Sequence, residues 1–369
     1  MNIKHVAAFF ASLALLISPA WADPMDDGNA AYKRRDYESA LKIFRSLAEQ
    51  GHARGQNAVG DMTRKGQGVP QDYAAALKWF RASAAQGEER AQFNLGVMYD
   101  YGYGVVQDLA EASRWYRLAA DQGRSSAQFN LGVIYDAGQG VAQNFAEAMK
   151  WYRLAAAQGD MAAQFNLGLM YAEGKGVTQN YAEAIKWYQL AAAQGYRYAQ
   201  TNIGNMYDTG NGTHQDYAEA VKWYQLAADQ GSPVAQYNLG QMYSKGRGVA
   251  RNYAESAKWF RLSAMQGYEN AQYSLGVAYC AGQGIKEDLL QAQMWTILPS
   301  ASGDKDSVSN RENLAARLTP AQTAFVQEMA RQCRGRSYKG CDFVGSPRLP
   351  CASSGIDLSK YDSGQSNTS

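Results

Sequence analysis

Histidine is nearly absent from this chain of 369 residues: three occur, and beyond residue 22 there are only His52 and His214. A histidine-based metal site, or a Cys–His or Ser–His nucleophile pair, needs partners that the rest of the sequence does not supply. Both histidines read as surface residues near turns or repeat starts. An excess of one charge is also missing. The formal balance is +2 at pH 7, and losing Lys4 with the leader described below lowers it by one. That is a poor electrostatic footprint for nucleic-acid binding. Long apolar runs are lacking too. The stretch from Val6 to Ile17 is the longest, and it is too short to cross a bilayer. With Lys4 before it and Ala20-Trp21-Ala22 after it, it reads as a signal peptide over residues 1–22. No cysteine stands at that cleavage point, which argues against a lipid anchor. The expected location is therefore an export compartment.

What is present is repetition. Trp79, Trp115, Trp151, Trp187, Trp223, Trp259 and Trp295 stand 36 residues apart, as do Gly60, Gly96, Gly132, Gly168, Gly204, Gly240 and Gly276. A fixed period of this length predicts a stacked solenoid, in which each repeat buries its apolar face against its neighbours. Residues 160–195 serve as a specimen. Ala163, Leu167, Met170 and Tyr171 have helical spacing, and so do Tyr181, Ala184, Ile185, Tyr188 and Ala191. Gly174-Lys175-Gly176-Val177 breaks the chain between them, so each repeat is a helical hairpin.

Asn180 is placed to cap the second helix, with Glu183 three residues on reaching back to the cap's backbone N–H. Glu183 and Lys186 form an i,i+3 pair. The helix ends at Gln194-Gly195, where glycine accepts a left-handed conformation. Gly168 is expected to mark a close helix crossing, because glycine inside a helix costs about 1 kcal/mol relative to alanine. Gly174-Lys175-Gly176 lacks the spacing and the Ser/Thr of a phosphate-binding loop, so the recurring glycine loops read as turns.

The repeats predict five segments: the signal peptide at 1–22, a shortened capping hairpin at 23–51, seven repeats at 52–303, a C-terminal capping helix at 304–336, and a cysteine-containing, largely disordered tail at 337–369. The cysteines are Cys280, Cys333, Cys341 and Cys351. Four cysteines allow three connectivities. Cys333 and Cys341 flank a short turn-like stretch and are the favoured pair. A second bond from Cys280 to Cys351 and free thiols at both positions stay open. Two glycosylation sequons, Asn211-Gly212-Thr213 and Asn367-Thr368-Ser369, matter only in a eukaryotic secretory pathway.

The strings AQFNLGLMYAEGKGVTQNYAEAIKWYQLAAAQG and AQYNLGQMYSKGRGVARNYAESAKWFRLSAMQG resemble the Sel-one-like repeats, relatives of the tetratricopeptide repeats. The resemblance covers residues 52 to about 303. It implies an all-α fold, an α/α solenoid built as a right-handed superhelix of antiparallel helix pairs. It also implies scaffolding of protein partners in export, envelope, stress or host-contact pathways. A cysteine-rich branch of similar proteins, with a disulfide in each repeat, is linked to β-lactam binding or hydrolysis. This chain departs from that branch, because Cys280 alone lies within a repeat.

In this architecture the first helices line the concave surface, and positions that vary between repeats there are candidates for partner binding. Phe93/Val97, Phe129/Val133 and Phe165/Leu169 form an apolar stripe, whereas Asn57/Asp61 and Thr201/Asn205 are polar. Such a stripe suits an amphipathic helix or an extended peptide. The aromatics have a second reading, as packing between neighbouring helices. Tyr101, Tyr103, Tyr196, Arg197, Tyr198, Lys245 and Arg247 are expected to be exposed, in types enriched at interface hot spots. The leading expectation is a non-enzymatic exported scaffold without cofactor or metal. The competing readings are a cell-envelope enzyme or β-lactam binder, and a peptidoglycan or polysaccharide binder using exposed tyrosines as platforms.

Overall fold

The computed structural model describes residues 24–299, 305–338 and 341. The expected signal peptide, Cys351 and the second sequon lie outside the described residues. The described chain contains 18 α-helices and no strand, and it divides into two compact units at Asn144 and Phe145. The first unit holds α1 (Pro24–Lys33), α2 (Tyr37–Glu49), α3 (Ala53–Lys65), α4 (Tyr73–Ala84), α5 (Glu89–Tyr101), α6 (Leu109–Asp121) and α7 (Ser125–Ala137). The second holds α8 (Phe145–Ala157), α9 (Met161–Glu173), α10 (Tyr181–Ala193), α11 (Arg197–Thr209), α12 (Tyr217–Asp229) and α13 (Pro233–Lys245). It continues through α14 (Tyr253–Ala264), α15 (Glu269–Ala281), α16 (Leu289–Ile297), α17 (Lys305–Ala315) and α18 (Pro320–Gly335). Within each unit the helices pack in chain order, pair after pair. This is an α/α solenoid.

The helix ends follow the sequence with one correction. The Asn180 side chain accepts the Glu183 backbone N–H at 3.0 Å, and α10 closes at Gly195 with φ +85°. The Glu183 carboxylate does not reach back to the cap; it accepts from Lys186 at 2.9 Å. The backbone N–H of Asn180 donates instead to the Tyr171 carbonyl at 2.8 Å, and Asp108, Asp216 and Asn252 repeat this bond to Tyr99, Tyr207 and Tyr243. The bond ties the start of the second helix to the first helix of its own repeat, so no donor is left for the glutamate. Among the described helices the reciprocal capping box occurs at α18, between Thr319 and Gln322.

The mid-helix glycines are contact points. A Cβ on Gly204 would lie 2.6 Å from the Tyr224 ring, and one on Gly168 would enter the ring of Tyr188. Gly60, Gly96 and Gly240 face Phe80, Tyr116 and Phe260 in the same way. These rings are fully buried, so none has room to yield. In the loops Gly176 (φ +69°) lies where a Cβ would be 2.7 Å from the Phe145 side chain, at the start of the preceding repeat's second helix. Short inter-helix loops are therefore seated on the repeat before them.

Polar contacts join the repeats as well. Gln236 is buried on α13; its amide donates to the Ala228 carbonyl at 3.1 Å and its oxygen accepts from Gln266 at 2.8 Å. Gln200 and Gln230 pair in the same way at 2.8 Å, Gln164 and Gln194 at 2.9 Å, and Gln92 and Gln122 at 2.8 Å. In four repeats an arginine of the second helix also donates to a tyrosine hydroxyl of the next first helix: Arg81 to Tyr99, Arg117 to Tyr135, Arg153 to Tyr171, and Arg261 to Tyr279.

The second unit ends in α17 and α18, which cover α16 so fully that Leu289 through Thr296 are all buried. Cys333 is bonded to Cys341. Cys280, buried on α15, is also disulfide-bonded. Tyr338 packs over Gly267, and Arg334 donates to the Ile297 carbonyl at 2.8 Å.

The glycine contact gives a direct expectation. Gly168→Val forces two methyls into the buried Tyr188 ring and should lower stability by about 1–3 kcal/mol through overpacking. A urea titration reads this as a lower unfolding midpoint, and an unchanged midpoint would contradict the contact.

Candidate functional site

The residues that vary between repeats lie on the first helices and at their N-terminal ends. In the first unit Phe93 is half-buried on α5, its ring 5.7 Å from Tyr116 and covered by the Arg124 guanidinium at 4.6 Å. Val97 is half-buried one turn on, and α7 carries Phe129, half-buried, and Val133, exposed. Tyr101 is 64% exposed. It stacks on Tyr103 at 5.5 Å, and Tyr103 stacks on Tyr73 at 5.0 Å. Three near-parallel rings thus stack where the end of α5 and the loop after it meet the start of α4.

The second unit brings three of the expected residues together. Phe165 on α9 lies 5.7 Å from Tyr188, 5.2 Å from Tyr196 and 6.2 Å from Tyr198. Tyr196 and Tyr198 meet edge to face at 5.4 Å. Arg197 stacks over Tyr198 at 5.0 Å and donates to its hydroxyl at 3.1 Å and to the Gln230 carbonyl at 3.2 Å. Tyr198 is 46% exposed, and Leu169 is half-buried one turn along α9. Burial pushes the Tyr196 hydroxyl above its usual pKa, so its phenol stays a neutral donor. The Phe–Tyr–Tyr cluster has a deep edge in Phe165 and an outer edge in Tyr198.

The N-cap residue of each following first helix decides how much of the aromatic shows. Arg124, Tyr196 and Tyr268 stand at N-caps and make no side-chain cap bond. Each lies over the ring 31 positions earlier, respectively Phe93, Phe165 and Tyr237. Ser232 instead caps α13 and hydrogen-bonds Thr201 at 3.2 Å. Phe93 and Phe165 are thus neither open groove nor full core. At both positions the covering residue, Arg124 or Tyr196, takes the outermost place.

Toward α11 and α13 the same face becomes polar. Asn205 accepts from the Tyr224 hydroxyl at 2.6 Å and from Asn238 at 2.9 Å. Beside it Asp208 is held above the ordinary carboxylate pKa, chiefly by burial, while Arg247 and Lys245 pull it down. Burial with the charge of Tyr268 pushes Tyr237 up to about 12. Sequence reasoning found Asn205 polar but did not foresee the cluster around it. The second helices of this unit also expose Leu154, Leu190, Leu226 and Leu262, one per repeat. The Leu recurring every 36 residues, before Ala-Ala or Ser-Ala, was the signal for that row.

His52 and His214 are exposed. Among the described residues no group of three His, Cys, Asp or Glu could hold a metal ion. No described helix is long and apolar enough to cross a membrane.

A solenoid with uniform packing and a variable first-helix face defines a repeat protein of the interaction-scaffold class. The chain belongs to the Sel1 repeat family: residues 26–52, 53–88, 89–123, 125–160, 162–196, 197–232, 233–268 and 270–298 each match the Sel1 repeat. The first of these counts as a repeat the segment read above as a capping hairpin. Proteins built from such repeats are generally protein-interaction scaffolds and typically non-catalytic. The chain is similar to a Sel1 repeat protein from Oxalobacter formigenes, at 35% identity over 65% of this chain and 98% of that one, TM-score 0.59. It is also similar to a protective antigen with an SLR fold present in uropathogenic Escherichia coli strains. That match has 26% identity over 88% and 87% of the chains, TM-score 0.43. No curated protein matches the chain.

The Asp208 environment gives a pH-dependent expectation. Its folded pKa is raised, so the carboxylate is a liability above that pKa, and the liability fades as pH falls toward the unfolded value of 3.8. Asp208→Asn should therefore melt higher than the parent chain at pH 7, with the difference closing as pH drops to about 4. A gap that widens on acidification would reverse the sign and reject the assignment.

Proposed function

We propose that this chain is a non-enzymatic, exported scaffold that binds protein partners through its first-helix face, the face expected to be concave. The observation that carries the reading is the cluster of Phe165, Tyr196 and Tyr198 beside Leu169, with the polar Asn205–Asp208 region on the next first helices. Tyr198 and Arg197 offer large, rigid contact area of the types that dominate interfaces. The apolar-to-polar change along the face gives a bound segment a direction: an apolar anchor over α9 and a polar end over α11 and α13. A periplasmic or secreted location is part of this reading and rests on the leader-like residues 1–22.

A photo-crosslinking residue at position 198, with exposed position 54 as control, tests the face. A defined envelope protein captured at 198 and not at 54 is expected, with Tyr198→Ala weakening its binding to the purified chain by about tenfold, in the range of a hot-spot truncation. Equal capture at both positions, or unchanged affinity of the variant, would remove the face from consideration.

The stacked Tyr73, Tyr103 and Tyr101 favour a second reading, as a platform for cell-wall glycan in the first unit. Co-sedimentation with peptidoglycan should then saturate and be lost in Tyr101→Ala; no saturable co-sedimentation would dismiss it.

A further inference from the structure

The C-terminal cap contains a cavity of about 250 Å³ between α16, α17 and α18. Its wall includes Gln293, Ile297, Arg311, Glu312, Ala315 and Val326. Gln293 takes the position filled in other second helices by Leu77, Met149, Ile185 and Val221, and by the small Ser113 and Ala257. It is only 6% exposed, and its carboxamide oxygen has no hydrogen-bond partner. Burying a polar group unpaired costs stability that an apolar side chain there avoids. Arg311 is half-buried and has no ion-pair partner among the described residues; although adjacent in sequence, it and Glu312 do not pair. Ile297, Ala315 and Val326 supply an apolar wall.

The wall thus offers a cation without an ion-pair partner among the described residues, an unpaired carboxamide oxygen, an exposed carboxylate and an aliphatic surface around a small volume. Pockets for drug-sized ligands run about 300–1,000 Å³, so this one suits something nearer one amino-acid residue. We infer that the cavity binds a free aliphatic α-amino acid. Arg311 pairs with its carboxylate, Glu312 with its ammonium group, Gln293 hydrogen-bonds its polar end, and Ile297, Ala315 and Val326 receive its side chain. Arg311 and the Gln293 carboxamide oxygen then gain partners that the described residues do not give them. This site is independent of the partner-binding face.

Calorimetry on the full chain with L-leucine, N-acetyl-L-leucine and isoamylamine tests the inference. L-Leucine should bind saturably, and the two analogues, each lacking one charge, should bind at least tenfold more weakly. Arg311→Ala should weaken L-leucine by about tenfold or more. Gln293→Leu should lose it as well while melting at or above the parent temperature, which separates loss of a ligand contact from loss of the fold. No saturable heat with L-leucine at ~10 mM, well above a millimolar Kd, would overturn the inference, as would unaltered binding in Arg311→Ala. Equal binding of N-acetyl-L-leucine would also overturn it, and would mark the site as one for a peptide C-terminus.

Discussion

Glycine against a buried aromatic ring is the contact on which the rest of this solenoid depends. At the crossings of Gly60, Gly96, Gly168, Gly204 and Gly240 the two helices of a repeat approach until nothing larger than a hydrogen fits between the first-helix backbone and the ring, whereas Gly276 meets Thr296. A mid-helix glycine costs about 1 kcal/mol. The ring it admits buries far more apolar surface, worth about 1.5–3 kcal/mol for a side chain of this size. The exchange is favourable, and it fixes the distance and angle of the pair. With the pair fixed, the Asn180 backbone reaches Tyr171, Arg153 reaches Tyr171 from the previous repeat, and Gln164 and Gln194 come within 2.9 Å.

Those contacts use the positions the repeats share and leave the others free to differ. The N-cap shows how cheaply they differ. A side-chain cap is worth about 0.5–2 kcal/mol, and an aromatic pair beyond its area about 0.5–1.5 kcal/mol. Ser232 takes the first option, and Tyr196, lying over Phe165, takes the second. Because the two are nearly equal in energy, the choice at each repeat has little effect on stability and a large effect on what the first-helix face presents. A scaffold of uniform interior can thus carry an aromatic cluster at α9 and a hydrogen-bonded polar cluster at α11 and α13.

Much of this was legible in the sequence because it rests on local chemistry repeated at a fixed step. Helix pairs, glycine crossings, Asx caps and Gly-terminated helices follow from patterns inside one repeat. Glu183 was misplaced because the backbone N–H of Asn180 is claimed by the Tyr171 carbonyl on the other helix of the repeat, a bond that the local cap pattern does not show. The buried glutamine relay was overlooked although Gln164 recurs every 36 residues, since a glutamine near a helix start reads as surface until its neighbour repeat is in place. Gln293 was overlooked because the residues that line the cavity with it, such as Arg311 and Val326, come from helices outside the repeat pattern.

By itself the sequence determined the solenoid, because each repeat carries its own helix signals and its own need to be covered by the next. Only the tertiary structure decided which variable residues meet or share a cavity. Phe165 and Tyr196, in contact, are 31 positions apart, and Arg311 and Gln293, which line one cavity, are 18 apart; neither separation is one at which side chains of a single helix touch. Such pairs are made by stacking one hairpin on another and by folding the cap over α16, and those are properties of packed neighbours that no single repeat encodes.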